Sequence, residues 1–209
     1  MIRLLVADDH AIVREGIRHT LEKTGDIVVA GEARNCQEAL EMAEKNDYDI
    51  VLLDISMPGR GGMDVLKELK SLPKKLTVLV LSMYPEDQYA VRALRLGAAG
   101  YLTKDSAPDE LIVAIRKVFT GGIYVSATLA EKIAGALGTS SVGALHEQLT
   151  DREYQVLCMI ASGMTQTQIA EKLSLSIKTI STYRTRILVK MNMSDNMDLT
   201  RYAIDNHLI

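Results

Sequence analysis

Short apolar runs alternate with longer amphipathic stretches in the first part of the chain. Between the runs, apolar residues recur at helical spacing, as Val13, Ile17 and Leu21 do at i, i+4 and i+8. Strands that alternate with helices favour a parallel sheet covered by helices on both faces. The pattern therefore predicts an α/β domain with a five-stranded parallel sheet over residues 1–121. The predicted strands cover residues 2–7, 26–30, 49–53, 77–82 and 99–102.

The strand pattern ends at Gly121 and Gly122. Residues 127–137 predict a short helix, and the small polar residues after it are typical of a linker. We therefore assign a linker to residues 122–146.

Only helical patterns follow, and they predict a small all-α domain over residues 147–209. Thr150 and Glu153 predict a capping box at the start of its first helix. The later helices are expected at residues 166–173, from Ile177 onward, and at residues 195–206. A short turn, Ser174-Leu175-Ser176, joins the second helix to the third, which is typical of a helix-turn-helix.

Composition and charge mainly exclude some classes of protein. The apolar fraction is 47% and the net charge is −3, so the whole chain is not a strongly basic nucleic-acid binder. Cys36 and Cys158 match no metal or redox spacing and are interpreted as core residues. No apolar run approaches the roughly 18 residues of a membrane span. We expect a cytoplasmic protein without membrane contact.

Polar residues end four of the predicted strands. Asp8 and Asp9 follow the first strand, Asp54 the third, Ser82 ends the fourth, and Lys104 follows the fifth. Because ligands bind at the carboxyl ends of parallel strands, these side chains are expected to converge. Each residue taken alone has a structural alternative, such as helix capping, a turn or a solvated lysine. Together they predict a functional pocket.

Crowded carboxylates repel one another, and a hard divalent cation relieves that repulsion. Mg²⁺ takes oxygen ligands, so Asp9 and Asp54 are predicted to bind it, with Asp8 assisting through water. A carboxylate beside such an ion can attack phosphorus, and Lys104 and Ser82 can stabilise the transferred phosphoryl group. Asp54 is therefore the predicted phosphate acceptor.

The third helix of the second domain is cationic, with Lys178, Arg184, Arg186 and Lys190 and no acid. At 100° per residue, one side gathers its apolar residues and is predicted to be buried. That side consists of Ile177, Ile180, Tyr183, Ile187, Leu188 and Met191. The other side is predicted to contact DNA phosphates and base edges, although a plain helical bundle with a solvated face stays an alternative. The predicted contacts are Lys178, Ser181, Thr182, Thr185, Arg186 and Val189.

The motifs VADDH, LLDISMPG, LSMYPED and YLTKD resemble the receiver domain of bacterial two-component response regulators. The resemblance covers about residues 1–121 and implies a flavodoxin-like fold. It also implies that a sensor histidine kinase phosphorylates Asp54, and that Asp8 and Asp9 bind Mg²⁺ together with the main-chain carbonyl of Ser56. Ser82 and Lys104 match the positions that contact the phosphate. Tyr101 matches an aromatic residue that couples phosphorylation to the face of the domain beside the fourth and fifth strands.

LTDREYQVL and GMTQTQIAEKLSLSIKTI resemble the LuxR-type helix-turn-helix. A receiver followed by this module identifies the chain as a member of the NarL/FixJ subfamily. The chain departs from the common pattern at Gln166-Thr167-Gln168 and at Ser181, where the family usually has Lys. The second departure leaves the operator sequence undefined.

The resemblance implies a phosphorylation-controlled transcription factor rather than an enzyme. It would bind double-stranded DNA as a homodimer on activation, over two half-sites about one helical turn apart. Residues 11–23, 108–120 and 195–206 are the expected dimer surfaces, and the unphosphorylated receiver is expected to mask the recognition helix. Two alternative functions stay open. One is a phosphohydrolase, which would need an Asp at position 56 as an acid, where this chain has Ser56. The other is a phosphorylation-independent regulator with a vestigial pocket.

Overall fold

A computed structural model describes residues 1–57, 61–131, 144–206 and 208–209, without the side chains of residues 87 and 88. The chain divides into two compact units, Met1–Glu131 and Lys132–Ile209. The division falls inside the segment assigned to the linker. Residues 127–131 are helical, and the rest of the short helix predicted there lies outside the described residues.

The first unit is a parallel five-stranded sheet, as the alternating pattern predicted. Its strands, numbered along the chain, lie side by side in the order second, first, third, fourth and fifth. The second, third and fifth strands each begin one residue later than expected, and the second also extends three residues further. Strands and helices alternate along the chain. They are β1 (Ile2–Ala7), α1 (Ala11–Glu22), β2 (Ile27–Ala33), α2 (Cys36–Lys45), β3 (Ile50–Asp54), α3 (Gly62–Ser71), β4 (Thr77–Ser82), α4 (Glu86–Arg95), β5 (Gly100–Thr103) and α5 (Pro108–Phe119).

The core of this unit follows from strand alternation and helix periodicity. Leu4 and Val6 of β1 pack with Ile17 of α1 and Ile115 of α5 in one apolar cluster on one side of the sheet. The central strand β3 is buried over its whole length, because helices cover both sheet faces. This rigid centre carries Asp54 at its last residue.

The chain beyond α5 is tied to the sheet and to the helices beside it. Tyr124 pairs with Gly100 of β5, and its hydroxyl lies 2.6 Å from Glu110 Oε1. The hydroxyl of Ser126 donates to Glu86 at the start of α4, and Leu129 is buried. The beginning of the predicted linker is therefore part of the first unit.

The second unit contains a 3-10 turn (Leu145–Gln148) and four described helices: α6 (Asp151–Ala161), α7 (Gln166–Leu173), α8 (Ile177–Met191) and α9 (Asn196–Asp205). The predicted capping box of Thr150 and Glu153 is present. Thr165 and Gln168 form a second one, so Gln168, a departure from the family pattern, still caps its helix. Between α7 and α8, Ser174 adopts a left-handed conformation (φ 53°), which reverses the chain, and Ser176 caps α8.

Candidate functional site

Strand register aligns the polar residues at one edge of the first unit. Ala7 pairs with Leu53, Asp54 with Leu81, and Ser82 with Thr103. Asp8 and Lys104 each follow immediately after one of these positions. The carboxyl ends of β1, β3, β4 and β5 therefore bring together the side chains that the sequence singled out.

Lys104 bridges the two buried carboxylates. Its Nζ lies 2.6 Å from Asp54 Oδ2 and 2.7 Å from Asp8 Oδ2. Asp8 and Asp54 are each only 1% exposed, so the pair would repel strongly without a cation between them. The lysine is therefore part of the pocket and not a solvated surface residue.

The pKa directions follow from this burial. Burial raises the pKa of the Asp54 carboxyl above its ordinary value, and the hydrogen bond from Lys104 opposes that shift. For Lys104, burial alone would lower the pKa, but hydrogen bonds to Asp54 and Asp8 outweigh it and leave the pKa raised. The ammonium thus stays charged and favours the ionised form of the Asp54 carboxyl.

The turn after β3 holds the second oxygen of Asp54. The main-chain N–H of Ser56 donates to Asp54 Oδ1 at 2.6 Å. A Cβ on Gly62 would lie 2.3 Å from Ile55 Cα, so only glycine lets α3 start this close to the turn. The carboxylate is therefore fixed by the backbone on one side and by Lys104 on the other.

The acidic residues also form a cluster with metal-binding character. Ligand atoms of Asp8, Asp9, His10 and Asp54 lie within 4.8 Å of one another. Asp9 Oδ1 is buried and accepts no hydrogen bond from a described residue, although the His10 imidazole lies 3.1 Å away, whereas Asp8 Oδ2 is held by the Lys104 ammonium at 2.7 Å. Carboxylate oxygens clustered in this way can bind a divalent cation that takes oxygen ligands. The three carboxylates of the cluster thus suit Mg²⁺.

Ser82 and Tyr101 lie on the neighbouring strands. Ser82 Oγ is 3.3 Å from Ser56 Oγ and accepts a hydrogen bond from the N–H of Tyr84. The Tyr101 side chain is fully buried, and its hydroxyl donates to the Tyr84 carbonyl at 2.9 Å. Burial raises the pKa of this hydroxyl, which keeps it protonated as a donor. Both residues therefore contact the segment between β4 and α4.

Sequence reasoning missed two members of the pocket. The strand-end pattern does not include His10 in the pocket, yet its Nδ1 lies 3.1 Å from Asp9 Oδ1 and 3.2 Å from Asp8 Oδ1. Arg14 is buried, donates to the Asp8 carbonyl at 2.7 Å, and pairs with Glu32. The only signal for His10 was its position next to the acidic pair; Arg14 gave none, because a cation on a helix is usually solvated.

In the second unit, α8 exposes the predicted DNA-contacting face. All six predicted residues are exposed: Lys178, Ser181, Thr182, Thr185, Arg186 and Val189. The hydroxyls of Thr182 and Thr185 donate to carbonyls one turn earlier, which leaves their methyl groups and oxygen lone pairs directed outward. The face can therefore offer cations, acceptors and apolar surface to a groove.

Two other cations of α8 have partners inside the unit. Lys190 Nζ lies 2.6 Å from Glu153 Oε2, and Arg184 Nε donates to Asn196 Oδ1 at 2.6 Å. Glu153 is buried, so the pair fixes the C-terminal end of α8 against the start of α6. The cationic charge of the helix is therefore divided between internal packing and the exposed face.

The prediction that Ile177 is buried was wrong. Ile177 is 52% exposed, and Tyr183 and Leu188 are only half-buried, whereas Ile180, Ile187 and Met191 are buried as expected. Periodicity predicts which side of the helix a residue faces, but it does not predict how deeply that residue is buried at a given position along the helix. Ile177 is the first residue of α8, where the helix has not yet entered the core.

Other expectations concern thiols, membranes and the last helix. Cys36 and Cys158 are both buried, as expected for core residues. Among the described residues, no helix has the length and apolarity needed to cross a membrane. In α9, Met197 and Ile204 are exposed, which leaves apolar surface on the helix predicted for a dimer contact.

Comparison with known families assigns each unit. Residues 4–116 match the response regulator receiver domain, and residues 147–203 match the bacterial regulatory proteins of the LuxR family. Response regulator UvrY of Escherichia coli K12 is 35% identical over all of this chain and 96% of its own length. Transcriptional regulatory protein LiaR of Bacillus subtilis 168 is 37% identical over 100% of both chains.

A solved structure supports the same assignment. RcsB from Salmonella enterica serovar Typhimurium, bound to promoter rprA in the presence of the phosphomimetic BeF3-, has a TM-score of 0.67 and 30% identity. The alignment covers 96% of this chain and 97% of that one. The chain belongs to the NarL/FixJ family of two-component response regulators, which join a receiver domain to a LuxR-type DNA-binding helix-turn-helix domain.

Proposed function

We propose that a sensor histidine kinase transfers phosphate to Asp54 with the help of Mg²⁺, and that this modification controls DNA binding by the second domain. The observation that carries the proposal is the Lys104 ammonium, 2.6 Å from buried Asp54 and 2.7 Å from buried Asp8. It neutralises charge at the point where a phosphoryl group would arrive.

The transfer uses an ionised Asp54 oxygen as the nucleophile. A P–O bond forms between this oxygen and phosphorus while the P–N bond of the kinase phosphohistidine breaks, and the imidazole nitrogen keeps the electron pair. Lys104 favours the ionised carboxylate before transfer and pairs with phosphoryl oxygens afterwards. The Ser82 hydroxyl, near Ser56, donates a hydrogen bond to the same group.

Asp8, Asp9, Asp54 and the main-chain carbonyl of Ser56 would hold the Mg²⁺. The close grouping of the three carboxylates, and the buried Asp9 Oδ1 that accepts no hydrogen bond from a described residue, support this assignment. When bound, Mg²⁺ supplies positive charge for the transferring phosphoryl oxygens. Arg14 keeps Asp8 in position through its main-chain carbonyl.

Phosphorylation is expected to act on the segment between β4 and α4. Ser82 binds the Tyr84 N–H, so a phosphoryl group that draws the Ser82 hydroxyl toward Asp54 removes this contact and that of Tyr101 with it. The response would be a homodimer on double-stranded DNA, with Lys178, Arg186 and their exposed neighbours in the major groove. One solved RcsB structure is described as two RcsB dimers bound to two parallel DNAs.

In this function the protein is not an enzyme that turns over a substrate. Asp54 accepts phosphate and loses it, and position 56 is a serine rather than a second acid. Access to the chromosome would place the protein in the cytoplasm.

The test compares DNA binding and oligomeric state with and without beryllofluoride and Mg²⁺, in the natural protein and in Asp54→Ala. We expect dimers and DNA binding to increase only in the natural protein. Equal DNA binding in both proteins, with no response to beryllofluoride, would instead favour a phosphorylation-independent regulator with a vestigial pocket. A matched control is Asp64→Ala, which removes a half-exposed carboxylate of the same domain outside the pocket.

A further inference from the structure

The imidazole of His10 occupies the solvent side of the acidic cluster. Its Nδ1 lies 3.1 Å from Asp9 Oδ1 and 3.2 Å from Asp8 Oδ1. Two ligands about 2.1 Å from one octahedral ion, at neighbouring positions, lie about 3.0 Å apart. These distances allow a hydrogen bond between the imidazole and the Asp8 carboxylate. They are also close to the separation that shared coordination of one ion would require.

The backbone keeps His10 at this place. His10 is the residue before the first turn of α1, with φ −87° and ψ 110°, and its N–H donates to Asp8 Oδ1 at 2.8 Å. The same carboxylate thus fixes the main chain that carries the imidazole. The side chain is 57% exposed, so it can turn toward an ion without disturbing the core.

We propose that His10 is an additional ligand, through Nδ1, that makes this site select first-row divalent ions such as Co²⁺, Ni²⁺ and Zn²⁺ over Mg²⁺. The inference rests on the metal site of the proposed function. Imidazole suits these borderline ions, whereas Mg²⁺ prefers oxygen and keeps its waters. Three carboxylates without the imidazole would discriminate less between these ions and Mg²⁺. The receiver would thereby sense which divalent ion is available.

The chain offers a matched control for His10. His19 lies on α1, is 72% exposed, and has Glu22 at 3.9 Å rather than the acidic cluster. His10→Ala and His19→Ala each remove one exposed imidazole, and neither removes a residue of the core. A difference between the two variants therefore reports the position of the imidazole.

The experiment measures Co²⁺ and Mg²⁺ affinity of the full chain by calorimetry at one fixed pH. Visible absorption of Co²⁺ and the imidazole ¹⁵N shifts with Zn²⁺ report nitrogen coordination. We expect His10→Ala to lose roughly tenfold in Co²⁺ affinity, with Mg²⁺ affinity nearly unchanged. His19→Ala should match the natural protein, and the Nδ1 signal lost in His10→Ala should be the one that Zn²⁺ shifts.

Two results would overturn the proposal. Unchanged Co²⁺ affinity in His10→Ala would show that the imidazole is no ligand. An equal loss of Co²⁺ and Mg²⁺ affinity would show that His10 only holds the carboxylates in place. The proposed function fails separately: if Asp54→Ala binds Mg²⁺ as tightly as the natural protein does, the assigned metal site is wrong and His10 falls with it.

Discussion

The hydroxyl of Tyr101 donates a 2.9 Å hydrogen bond to the main-chain carbonyl of Tyr84. Tyr84 in turn donates its N–H to Ser82 Oγ at the edge of the acidic pocket. A buried phenol on β5 is thereby joined through one residue to the predicted phosphate-contacting hydroxyl. The two hydrogen bonds fix the segment between β4 and α4 in the conformation that the structure shows.

Tyr101→Phe should loosen this segment without emptying the core. The variant keeps the ring and removes one buried hydrogen bond, so we expect about 1 kcal/mol less stability for the first domain and faster amide exchange at Tyr84. Hydrogen exchange and urea unfolding measure both effects. Tyr48→Phe is the control, because it removes a phenol hydroxyl of the same domain that lies beside Gly31 of β2 rather than at Tyr84. Equal effects in the two variants would contradict a specific role for the Tyr101 hydroxyl.

Lys104→Met should separate phosphoryl transfer from metal binding. Because Lys104 neutralises Asp8 and Asp54, its loss should slow labelling of Asp54 by acetyl phosphate roughly 100-fold. Mg²⁺ affinity should rise, since the ion no longer competes with an ammonium for the same carboxylates. Rapid-quench labelling and calorimetry test these outcomes. Lys67→Met, at an exposed lysine, should change neither quantity, and weaker Mg²⁺ binding in Lys104→Met would refute the competition.

Arg186 and Arg184 should differ in how their loss affects DNA binding. Arg186 is exposed, so Arg186→Ala should weaken DNA binding. The negative slope of log K against log salt should become less steep by about 1, as loss of one phosphate contact does. Arg184 donates to Asn196, so Arg184→Ala should destabilise the helix pair and leave the slope unchanged. Fluorescence anisotropy at several salt concentrations gives the slope. The same slope change in both variants would mean that Arg184 also contacts phosphate.

The pair of Glu153 and Lys190 should make the second domain sensitive to acid. Burial alone would raise the pKa of Glu153, but the hydrogen bonds from Lys190 and the Thr150 backbone outweigh it, so the net pKa lies below the ordinary value of 4.5. The folded state therefore binds fewer protons than the unfolded chain. The stabilisation is present above about pH 4.5 and is lost as the pH falls through the lowered pKa.

Lys190→Met should lower the free energy of unfolding of the second domain by about 1–2 kcal/mol at neutral pH, a modest loss because Lys190 is partly exposed. The same change should flatten the pH dependence. Urea titrations followed by the methyl signals of Ile160 and Ile187 report this domain alone. Lys178→Met, on the exposed face of the same helix, should leave both unchanged. An unaltered pH profile in Lys190→Met would show that Glu153 is held by its cap and not by the lysine.

The sequence by itself determined the two-domain organisation and most of the helix and strand positions. Alternation of apolar runs with helical periods is a local property, so the parallel sheet and the four helices of the second domain could be derived from it. Strand ends then placed Asp8, Asp54, Ser82 and Lys104 at one edge, since parallel strands share their carboxyl ends. The capping boxes were also local, as Thr150 and Glu153 lie three residues apart.

Only the tertiary structure decided how deeply each side chain is buried and which distant residues contact one another. Ile177 fits the apolar stripe yet is exposed, because distance from the core depends on where the other helices end. Lys190 pairs with Glu153, 37 residues earlier, and His10 lies against the acidic pair through the turn that opens α1. Periodicity carries angles around one element, whereas contacts between elements depend on register and packing in three dimensions. Only the assembled fold could therefore show which cations of α8 are held inside the domain and which face outward.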